Sequence, residues 1–481
     1  MTVSLKDFVF SSSCGEQYGE SFMVRRGAVK YAETDDKVTV VLAEGSGKEV
    51  CRFLEGFHLP KKTEFISVPL PEFASFVGSR QGNKTDGTET VQGFALEAID
   101  ESAPVVNIIN ALCIDAIRTG ASDIHAEAQE DSVHIRYRVD GVLHPVKEIA
   151  LPLFRQLSNR IKVMARLNTM EQRLPQDGRM TVSVAGETLD LRVSIVPTSE
   201  GESIVLRLFR GRGKAYELDE LGFSGGQLAA LRSAVTMPYG LVILSGPTGS
   251  GKTTTLHALL KTLPYNERKI ITIEDPVEQK LAGINQIQVN EAINLGFGGM
   301  LRRVLRQDPD VIMVGEIRDE ETAELALRAA LTGHLILSTV HTNDSVTVIN
   351  RLIDMGLERY LIASSLRCAC AQRLVRKLCA CARAAKPGKR EKALFAKYGI
   401  AVSNYREKTG CEACGGTGYR GRTVIGEVFG VGGELSALIE KGAAESEIRR
   451  ALNMKSLAYS GLEKCAAGVT GFSELEAEAL L

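Results

Sequence analysis

The sequence lacks the long apolar runs of a membrane protein, since none approaches the roughly eighteen residues that a transmembrane helix needs. Residues 1–7 also lack the apolar core of a signal peptide. There is no excess charge of either sign, because 58 lysines and arginines against 59 acidic residues leave a formal net charge of −1. We therefore expect a cytoplasmic chain without a transmembrane segment of its own, and we predict no nucleic-acid partner, because binding one would need a local basic groove.

Cysteine is sparse over most of the chain. Six of the ten cysteines fall between Cys368 and Cys414, and the other four are scattered: Cys14, Cys51, Cys113 and Cys465. In a reducing compartment such clustering argues for a metal site more than for disulfides.

A length of 481 residues predicts about three domains, and 44% hydrophobic with 24% charged residues is ordinary for a soluble globular protein. Short alternating runs beside a helical candidate predict a small α/β module over residues 1–80. The polar, glycine-bearing stretch that follows, residues 81–97, reads as a linker. Neither segment carries a chemical motif.

A glycine-rich loop stands between an apolar run and a helical stretch. The loop Gly246-Pro247-Thr248-Gly249-Ser250-Gly251-Lys252-Thr253-Thr254 follows Leu241-Val242-Ile243-Leu244. Strand, glycine loop and helix in this order are typical of a P-loop. The glycines let backbone N–H groups face a phosphate, Lys252 reaches the outer phosphates, and the Thr253 hydroxyl can hold magnesium. A turn that binds nothing is disfavoured by the spacing and by both flanking elements.

Residues 218–481 contain the loop and follow a short glycine- and lysine-bearing linker, residues 211–217. Short apolar segments that read as strands lie there at residues 241–244, 269–273, 311–314 and 335–339, and helical stretches separate them. This alternation predicts a largely parallel sheet with helices on both faces. Ligands of such a sheet bind at the carboxyl ends of its strands, where the P-loop already lies.

Carboxylates follow two of these strands. Glu274 ends the second and Glu316 follows the third, each where a water-orienting base or a magnesium contact belongs. Gly315 stands where many P-loop proteins have a magnesium-binding aspartate. We therefore expect Thr253 and phosphate oxygens to hold magnesium, with Glu316, the first choice for the catalytic carboxylate, or Glu274 acting directly or through water.

Two histidines flank the fourth strand. His334 precedes it and His341 follows it. A structural hydrogen bond and a role in sensing the phosphate are both open for each.

Residues 98–210 read as an α/β domain. A helix is predicted over residues 104–119, ended by Gly120, and two hairpins follow, with turns at Asp140-Gly141 and Gly186-Glu187. One face of these strands is apolar and the other carries arginines: Arg136, Arg138, Arg179, Arg192 and Arg207. Any one of them fits a solvated surface. As a group beside a nucleotide site they can supply positive charge to a phosphoryl group from a neighbouring subunit.

Together these residues resemble the secretion ATPase superfamily, and closely the branch that powers type II secretion and type IV pilus assembly. The likeness covers residue 98 to the end. Before the P-loop it rests on Ser122-Asp123-Ile124-His125-Ala126-Glu127, Arg136-Tyr137-Arg138-Val139-Asp140-Gly141 and Arg173-Leu174-Pro175-Gln176-Asp177-Gly178-Arg179. After it come Ile273-Glu274-Asp275-Pro276-Val277-Glu278, Gly315-Glu316-Ile317-Arg318-Asp319, Thr332-Gly333-His334 with His341-Thr342-Asn343-Asp344, and Ala371-Gln372-Arg373-Leu374.

The resemblance implies a RecA-like P-loop ATPase domain, preceded by an α/β (PAS-like) domain that supplies arginines across the interface of a homohexamer. By motif position these are Arg179, Arg192 and Arg207, with Glu316 the catalytic carboxylate and ATP and Mg²⁺ the ligands. It also implies an inner-membrane platform and docking proteins as partners. Residues 1–80 resemble only loosely the module that ties such ATPases to the membrane.

Two cysteine pairs lie in a segment predicted as an insert, residues 368–425, ahead of C-terminal helices at residues 433–481. Members that drive assembly and secretion carry two Cys-x-x-Cys pairs that bind zinc, and members that retract pili lack them. Here Cys411 and Cys414 form an intact pair, while Cys379-Ala380-Cys381 is one residue short, so both of its thiols reach one Zn²⁺ only if the backbone curls. Zinc on four thiolates is the prediction; Cys368 and Cys370, placed on a helix, are reserve ligands or core residues.

Other functions are open. A pilus-retraction or conjugation-type ATPase would share the chemistry, but the cysteine segment and the long N-terminal region oppose it. A RecA-like nucleic-acid motor is opposed by the near-neutral charge and by the likeness over residues 98–210. An idle scaffold is opposed by Lys252, Thr253 and Glu316.

Overall fold

The computed structural model describes residues 28–480 apart from 35, 45, 47, 59–60, 70–72, 74–104, 185–186, 210–215, 291–292 and 294. The chain forms two compact units, Met1–Ala95 and Leu96–Leu481. The predicted linker at 81–97, most of the one at 211–217, part of the Gly186-Glu187 turn and Cys14 lie outside the described residues. Within the described part of the chain, no helix has the length and apolar character to cross a bilayer.

The first unit is a small α/β module. Its elements are β1 (Ala28–Glu33), β2 (Lys37–Ala43), α1 (Lys48–Phe57) and β3 (Lys62–Val68). The sheet order is β1-β2-β3, with β1 antiparallel and β3 parallel to β2. Parallel neighbours need a crossover, which α1 provides. The core contains Val38, Val40 and Leu54, all fully buried.

An antiparallel six-stranded sheet with two helices opens the second unit. Its elements are α2 (Val105–Thr119), β4 (Ala121–Ala128), β5 (Ser132–Val139), β6 (Val142–Ala150), α3 (Leu151–Met164), β7 (Gln176–Val184), β8 (Glu187–Thr198) and β9 (Gly201–Phe209). The order is β6-β5-β4-β9-β8-β7. Asp140 (φ 49°) and Gly141 (φ 91°) make the tight β5–β6 turn with two left-handed residues, as a two-residue hairpin requires.

The two helices cover one face of this sheet. Ile108 and Leu112 of α2 and Leu157 and Ile161 of α3 are buried in the same core as Ile124 of β4. Polar side chains alternate with the buried apolar ones along each strand, so they lie on the opposite face of the sheet.

The P-loop belongs to a seven-stranded sheet in the rest of this unit. Up to its fourth strand the elements are α4 (Gly225–Thr236), β10 (Gly240–Ser245), α5 (Lys252–Lys261), β11 (Ile270–Glu274), β12 (Asn285–Gln288), α6 (Phe297–Val304), β13 (Val311–Val314), α7 (Glu320–Leu331) and β14 (Leu335–Val340). The sheet order is β12-β11-β13-β14-β10, continued by two later strands. These five are parallel, so the segments that follow them share one edge.

The later strands extend the same sheet. The remaining elements are α8 (Thr347–Asp354), α9 (Arg359–Ser365), β15 (Leu366–Leu378), β16 (Arg383–Ala384), α10 (Lys389–Lys397), β17 (Arg406–Glu407), β18 (Tyr419–Gly430), α11 (Gly433–Lys441), α12 (Glu445–Leu452), α13 (Leu457–Ala466) and α14 (Phe472–Ala477). β15 lies parallel to β10, and β18 pairs antiparallel with β15 at the edge. Residues 379–418, between these two strands, carry the four paired cysteines.

Cys368 and Cys370 correct one prediction. They were expected on a helix, but both lie in β15 and are fully buried. Burial raises the pKa of both thiols, that of Cys368 to about 12. A continuous buried run has no alternation that distinguishes strand from helix, which explains the error. They are core residues.

Candidate nucleotide site and metal centre

The P-loop leaves the buried strand β10 and ends where α5 begins. Gly249 (φ 79°) and Gly251 (φ 84°) take left-handed conformations that a side chain would strain. A Cβ on Gly246 would lie 2.4 Å from the backbone oxygen of Gln372 on β15. Pro247, Thr248 and Gly249 form the exposed rim of the loop. The glycines therefore let the loop pack against β15 while its rim faces outward.

Polar groups inside the loop fit a phosphate ligand. The Lys252 ammonium donates to the carbonyls of Gly246, at 2.8 Å, and Pro247, at 3.0 Å, so it is held at the mouth of the loop. Ser250 Oγ is buried and has no hydrogen-bond partner among the described residues. Thr253 is half-buried and Thr254 exposed at the amino end of α5, where partial positive charge favours an anion. This donor set suits the phosphates of ATP with Mg²⁺.

Glu316 lies beside the P-loop lysine. Burial lowers the pKa of Lys252, the negative charge of Glu316 raises it, and the positive charge of Arg373 lowers it again. Glu316 itself bonds to Arg318, and its Oε2 lies 3.4 Å from His341 Nε2. Burial raises the pKa of Glu316, but the bonds and charges of Arg318 and His341 outweigh burial and leave it below its usual value. A carboxylate that stays ionised and is 20% exposed can meet a water molecule.

The two predicted histidines lie at opposite edges of the sheet. His341 follows β14, on the P-loop side. His334 precedes it, and its carbonyl accepts the N–H of Gly240 at the start of β10, 3.1 Å away. Its Nδ1 lies 3.1 Å from the carbonyl of Ala329. Six residues of strand span roughly 20 Å, so His334 makes its structural contacts at the edge far from its own chain's P-loop, and a role in sensing the phosphate stays a prediction.

Glu274 is engaged by other side chains. It is 2% exposed and accepts hydrogen bonds from Thr272 Oγ1 at 2.6 Å and Gln286 Nε2 at 2.9 Å, while His257 Nε2 lies 3.1 Å away. Burial raises its pKa, and these three partners, His257 first, bring it below the usual value. Both oxygens are occupied in this arrangement, so Glu274 ties β11 to α5 and β12, whereas Glu316 has access to solvent. Sequence reasoning missed His257, because a single histidine inside an apolar helix gives no functional signal.

The predicted arginines form a row across the antiparallel sheet. Arg179 on β7 is opposite Arg192 on β8, which is opposite Arg207 on β9, so the three share one face. Asp123 on β4 continues the row, and its Oδ1 lies 2.8 Å from Arg207 Nε. Arg179, Arg192 and Arg207 line a groove of about 510 Å³.

Arg179 and Arg192 have no carboxylate within 4 Å among the described residues. Burial lowers the pKa of Arg192, and the charges of Arg179 and Arg207 lower it further, while Glu278 and Asp275 raise it. These two acidic residues follow β11, at the edge of the parallel sheet that carries the P-loop. Arg192 therefore lies within reach of charges at the strand-end edge of its own chain, and the clustered positive charge of the arginine face suits an anion.

Arg136 and Arg138, the other two arginines of that face, have acidic neighbours. Arg136 bonds to Glu127, and Arg138 Nε lies 4.0 Å from Asp123 Oδ2. Arg136 and Arg138 therefore form surface ion pairs, which distinguishes them from Arg179 and Arg192.

Four thiols meet between β15 and β18. The sulfurs of Cys379, Cys381, Cys411 and Cys414 all lie within 4.8 Å of one another. Three separations are 3.8 Å (Cys379–Cys411), 4.0 Å (Cys381–Cys414) and 3.7 Å (Cys411–Cys414). Tetrahedral zinc with Zn–S bonds of about 2.3 Å requires sulfurs roughly 3.8 Å apart. The donor set and its spacing fit Zn²⁺.

The short pair reaches the cluster because its backbone turns. The Ala382 N–H donates to the Cys379 carbonyl at 2.9 Å, so Cys379-Ala380-Cys381 is curled rather than extended. On the other side, N–H groups of Cys411 and Gly418 donate to Cys414 Sγ at 3.1 and 3.2 Å. Burial raises the pKa of Cys414, but these bonds outweigh it and lower the pKa to about 6. The missing residue therefore does not prevent four-thiolate geometry.

A family model described as "Type II/IV secretion system protein" matches residues 98–477. The chain belongs to this family. The match spans the six-stranded and seven-stranded sheets and the cysteine segment, as the sequence likeness predicted. It confirms the predicted secretion ATPase class, and with it an ATP hydrolase and the predicted fold class.

Individual relatives of this secretion-family chain are of the same class as the family model. It is 47% identical over 378 residues to the type II secretion system protein HxcR of Pseudomonas aeruginosa, covering 78% of this chain and 77% of the relative. It is 41% identical over 445 residues to the type IV pilus assembly ATPase PilB of Myxococcus xanthus, covering 91% and 77%. The X-ray structure of the Legionella pneumophila ATPase DotB has a TM-score of 0.61 at 20% identity, covering 79% of this chain and 98% of that one. At that identity the likeness shows the fold alone.

Proposed function

We propose that this secretion-family ATP hydrolase drives type II protein secretion or type IV pilus or pseudopilus assembly. The observation that carries the proposal is the placement of Lys252 and Glu316 at the same edge of the parallel sheet, near enough that the charge of Glu316 raises the pKa of Lys252, in a chain of this family. Lys252 would leave its loop carbonyls for the outer phosphates. Glu316, kept ionised by Arg318 and His341, would orient the attacking water.

The magnesium site follows from the residues present. Because Gly315 replaces the aspartate that many P-loop proteins have, the Thr253 hydroxyl and phosphate oxygens would hold Mg²⁺, with Glu316 beside them. Bound Mg²⁺ neutralises charge that develops on the phosphates. The chain's own contribution is the positioning of Lys252, Thr253 and Glu316.

Arg179, Arg192 and Arg207 would bind the phosphoryl group when the antiparallel sheet closes on the parallel one. Support comes from their alignment across three strands and from the charge interaction of Arg192 with Asp275 and Glu278 of the same chain. Domain closure of this kind excludes water and completes a site. Supply from a neighbouring subunit, first expected from the resemblance, stays a prediction.

The four thiols would hold Zn²⁺ as a structural centre. Their spacing supports it, and four thiolates leave no open position for catalysis. The centre would fix residues 379–418 between β15 and β18.

We further propose that the chain works as a cytoplasmic homohexamer, attached peripherally to the inner membrane by a platform and docking proteins. The family membership and the sequence likeness support this. Residues 1–80 would be the docking module, 98–210 the arginine-bearing domain and 218–481 the ATPase domain. The cysteine centre supports an assembly or secretion role over pilus retraction, and co-purification of platform and pilin-like proteins with the full chain tests which machine is served.

Hydrolysis is tested on the full-length protein by measuring phosphate release. Lys252→Ala and Glu316→Gln should each lower the rate about 100-fold or more, as the loss of a positioned catalytic group does. Glu324→Gln on α7, an exposed carboxylate paired with Arg328, is the matched control and should leave the rate unchanged. Hydrolysis by Lys252→Ala as fast as by wild type would refute the P-loop assignment.

A further inference from the structure

The segment Ala371-Gln372-Arg373-Leu374 runs beside the P-loop. Ala371 on β15 is opposite Ser245, the last residue of β10, so Gln372 and Arg373 continue alongside the loop itself. The side chain of Gln372 is fully buried and its Nε2 donates to the Ser250 carbonyl at 2.7 Å. This strand and the loop are thereby fixed to one another.

Arg373 has only weak partners. Its Nη2 lies 3.3 Å from the Asn343 carbonyl and its Nη1 3.5 Å from that of Gln372. No carboxylate lies within 4 Å of its guanidinium among the described residues. Burial lowers the pKa of Arg373, while Glu478 and Asp344 raise it from a longer distance. A half-buried guanidinium held by two long bonds to carbonyls lacks the bidentate partner that suits it.

The position of Arg373 is connected to that of Lys252 through a series of contacts. The loop after β14 that contains Asn343 also contains Asp344, whose carbonyl lies 3.4 Å from Ser245 Oγ at the start of the P-loop. Lys252 in turn donates to Gly246, the next residue of that loop. Two cations thus meet at one end of β10 and β15, close enough that the charge of Arg373 lowers the pKa of Lys252.

Two positive charges at the same strand ends repel one another, and an anion that binds between them relieves the repulsion. The P-loop lysine marks where the outer phosphates bind. We propose that Arg373 binds the outermost phosphate of ATP from the same chain as the P-loop, and so distinguishes ATP from ADP. This inference rests on the proposed ATPase function. On binding, the guanidinium would exchange the carbonyl of Asn343, two residues after His341, for phosphate oxygens.

The test measures the affinity of full-length protein for a non-hydrolysable ATP analogue and for ADP by competition with a fluorescent nucleotide. Arg373→Gln should weaken binding of the ATP analogue about tenfold or more, as loss of a charge-assisted hydrogen bond does, and should weaken binding of ADP far less. Arg373→Lys, which keeps the charge, should recover part of the loss. The matched control is Arg367→Gln, at the opposite end of β15, where the guanidinium lies 5.3 Å from the Tyr239 ring. In this variant the ratio of the affinity for the ATP analogue to the affinity for ADP should equal that of wild type.

An unchanged ratio of the two affinities in Arg373→Gln, or an equal loss for both nucleotides, would overturn the inference while leaving the ATPase proposal intact. Failure of wild-type protein to bind either nucleotide would overturn the proposed function and this inference with it. Should Arg373→Gln not fold, the Arg373→Lys ratio decides: a reduced preference for the analogue supports the contact, and an unchanged ratio with unchanged affinities refutes it.

Discussion

Glu316 Oε2 lies 3.4 Å from His341 Nε2, at the carboxyl ends of two adjacent parallel strands. The pair arises because β13 and β14 lie side by side, with Val314 opposite Ser338. His334, at the amino end of β14, has no access to it.

We expect His341→Ala to lower the rate of ATP hydrolysis about tenfold or more, since Glu316 loses a partner that holds its orientation and charge. His334→Ala should leave the rate per folded protein near wild type, because it removes contacts with Ala329 and Thr332 at the far edge. Steady-state phosphate release from both variants, normalised to folded protein, checks this. An equal loss of hydrolysis rate in His341→Ala and His334→Ala would contradict the prediction that only the histidine at the P-loop edge of the sheet supports catalysis.

The architecture around the P-loop could be predicted from the sequence. The loop is a local motif, and the parallel-sheet rule places every strand-end residue at its edge. The same rule separates His334 from His341, since a residue that precedes a parallel strand lies at the opposite edge from one that follows it.

Other features depend on contacts between distant residues. The row of Arg179, Arg192 and Arg207 requires the register of three strands, which no single strand's pattern determines. The curl at Cys379-Ala380-Cys381 depends on a turn closed by Ala382, and the spacing alone indicated only that a curl was required. The contacts of Glu274 with three other side chains likewise come from packing.

The ion pair of Lys162 and Glu202 should stabilise the arginine-bearing sheet. Lys162 Nζ is fully buried, lies 2.5 Å from Glu202 Oε1 and donates to the Glu171 carbonyl at 2.8 Å, in the loop that leads to β7. Lys162→Met leaves the Glu202 carboxylate without a cation and with the Ser158 hydroxyl as its remaining partner. Loss of one member of a buried ion pair typically costs about 3–5 kcal/mol. Hydrogen exchange of the β7–β9 amides should report that loss, while Arg160→Met, exposed on the same helix, should not. Unchanged protection in Lys162→Met would show that the pair contributes nothing.

Removal of one thiol should abolish zinc binding. Cys411→Ser takes away a sulfur that lies 3.8 Å from Cys379 and 3.7 Å from Cys414, and three remaining thiolates bind zinc far less tightly. Metal analysis of the purified full chain should find zinc in wild type and little in the variant. Cys51→Ser, in the first unit, is the control and should keep its zinc. Wild-type protein without zinc, after purification free of chelators, would contradict the assignment.

Mixing two inactive variants distinguishes the source of the arginines. Arg192→Gln should lower the hydrolysis rate about 100-fold or more, in line with an arginine that stabilises charge on a transferring phosphoryl group. Arg155→Gln, exposed on α3 of the same domain, should leave it unchanged.

When Arg192→Gln subunits are assembled with Lys252→Ala subunits, an arginine that acts within its own chain gives no recovery, because every subunit then lacks one half of its site. An arginine that acts across the interface restores activity wherever a Lys252→Ala subunit supplies Arg192 to a neighbour with an intact P-loop. The resemblance to the secretion ATPases leads us to expect recovery that rises with the mixing ratio and peaks near equal amounts. No recovery at any ratio would instead mean that Arg192 acts within its own chain, where the charges of Asp275 and Glu278 already reach it.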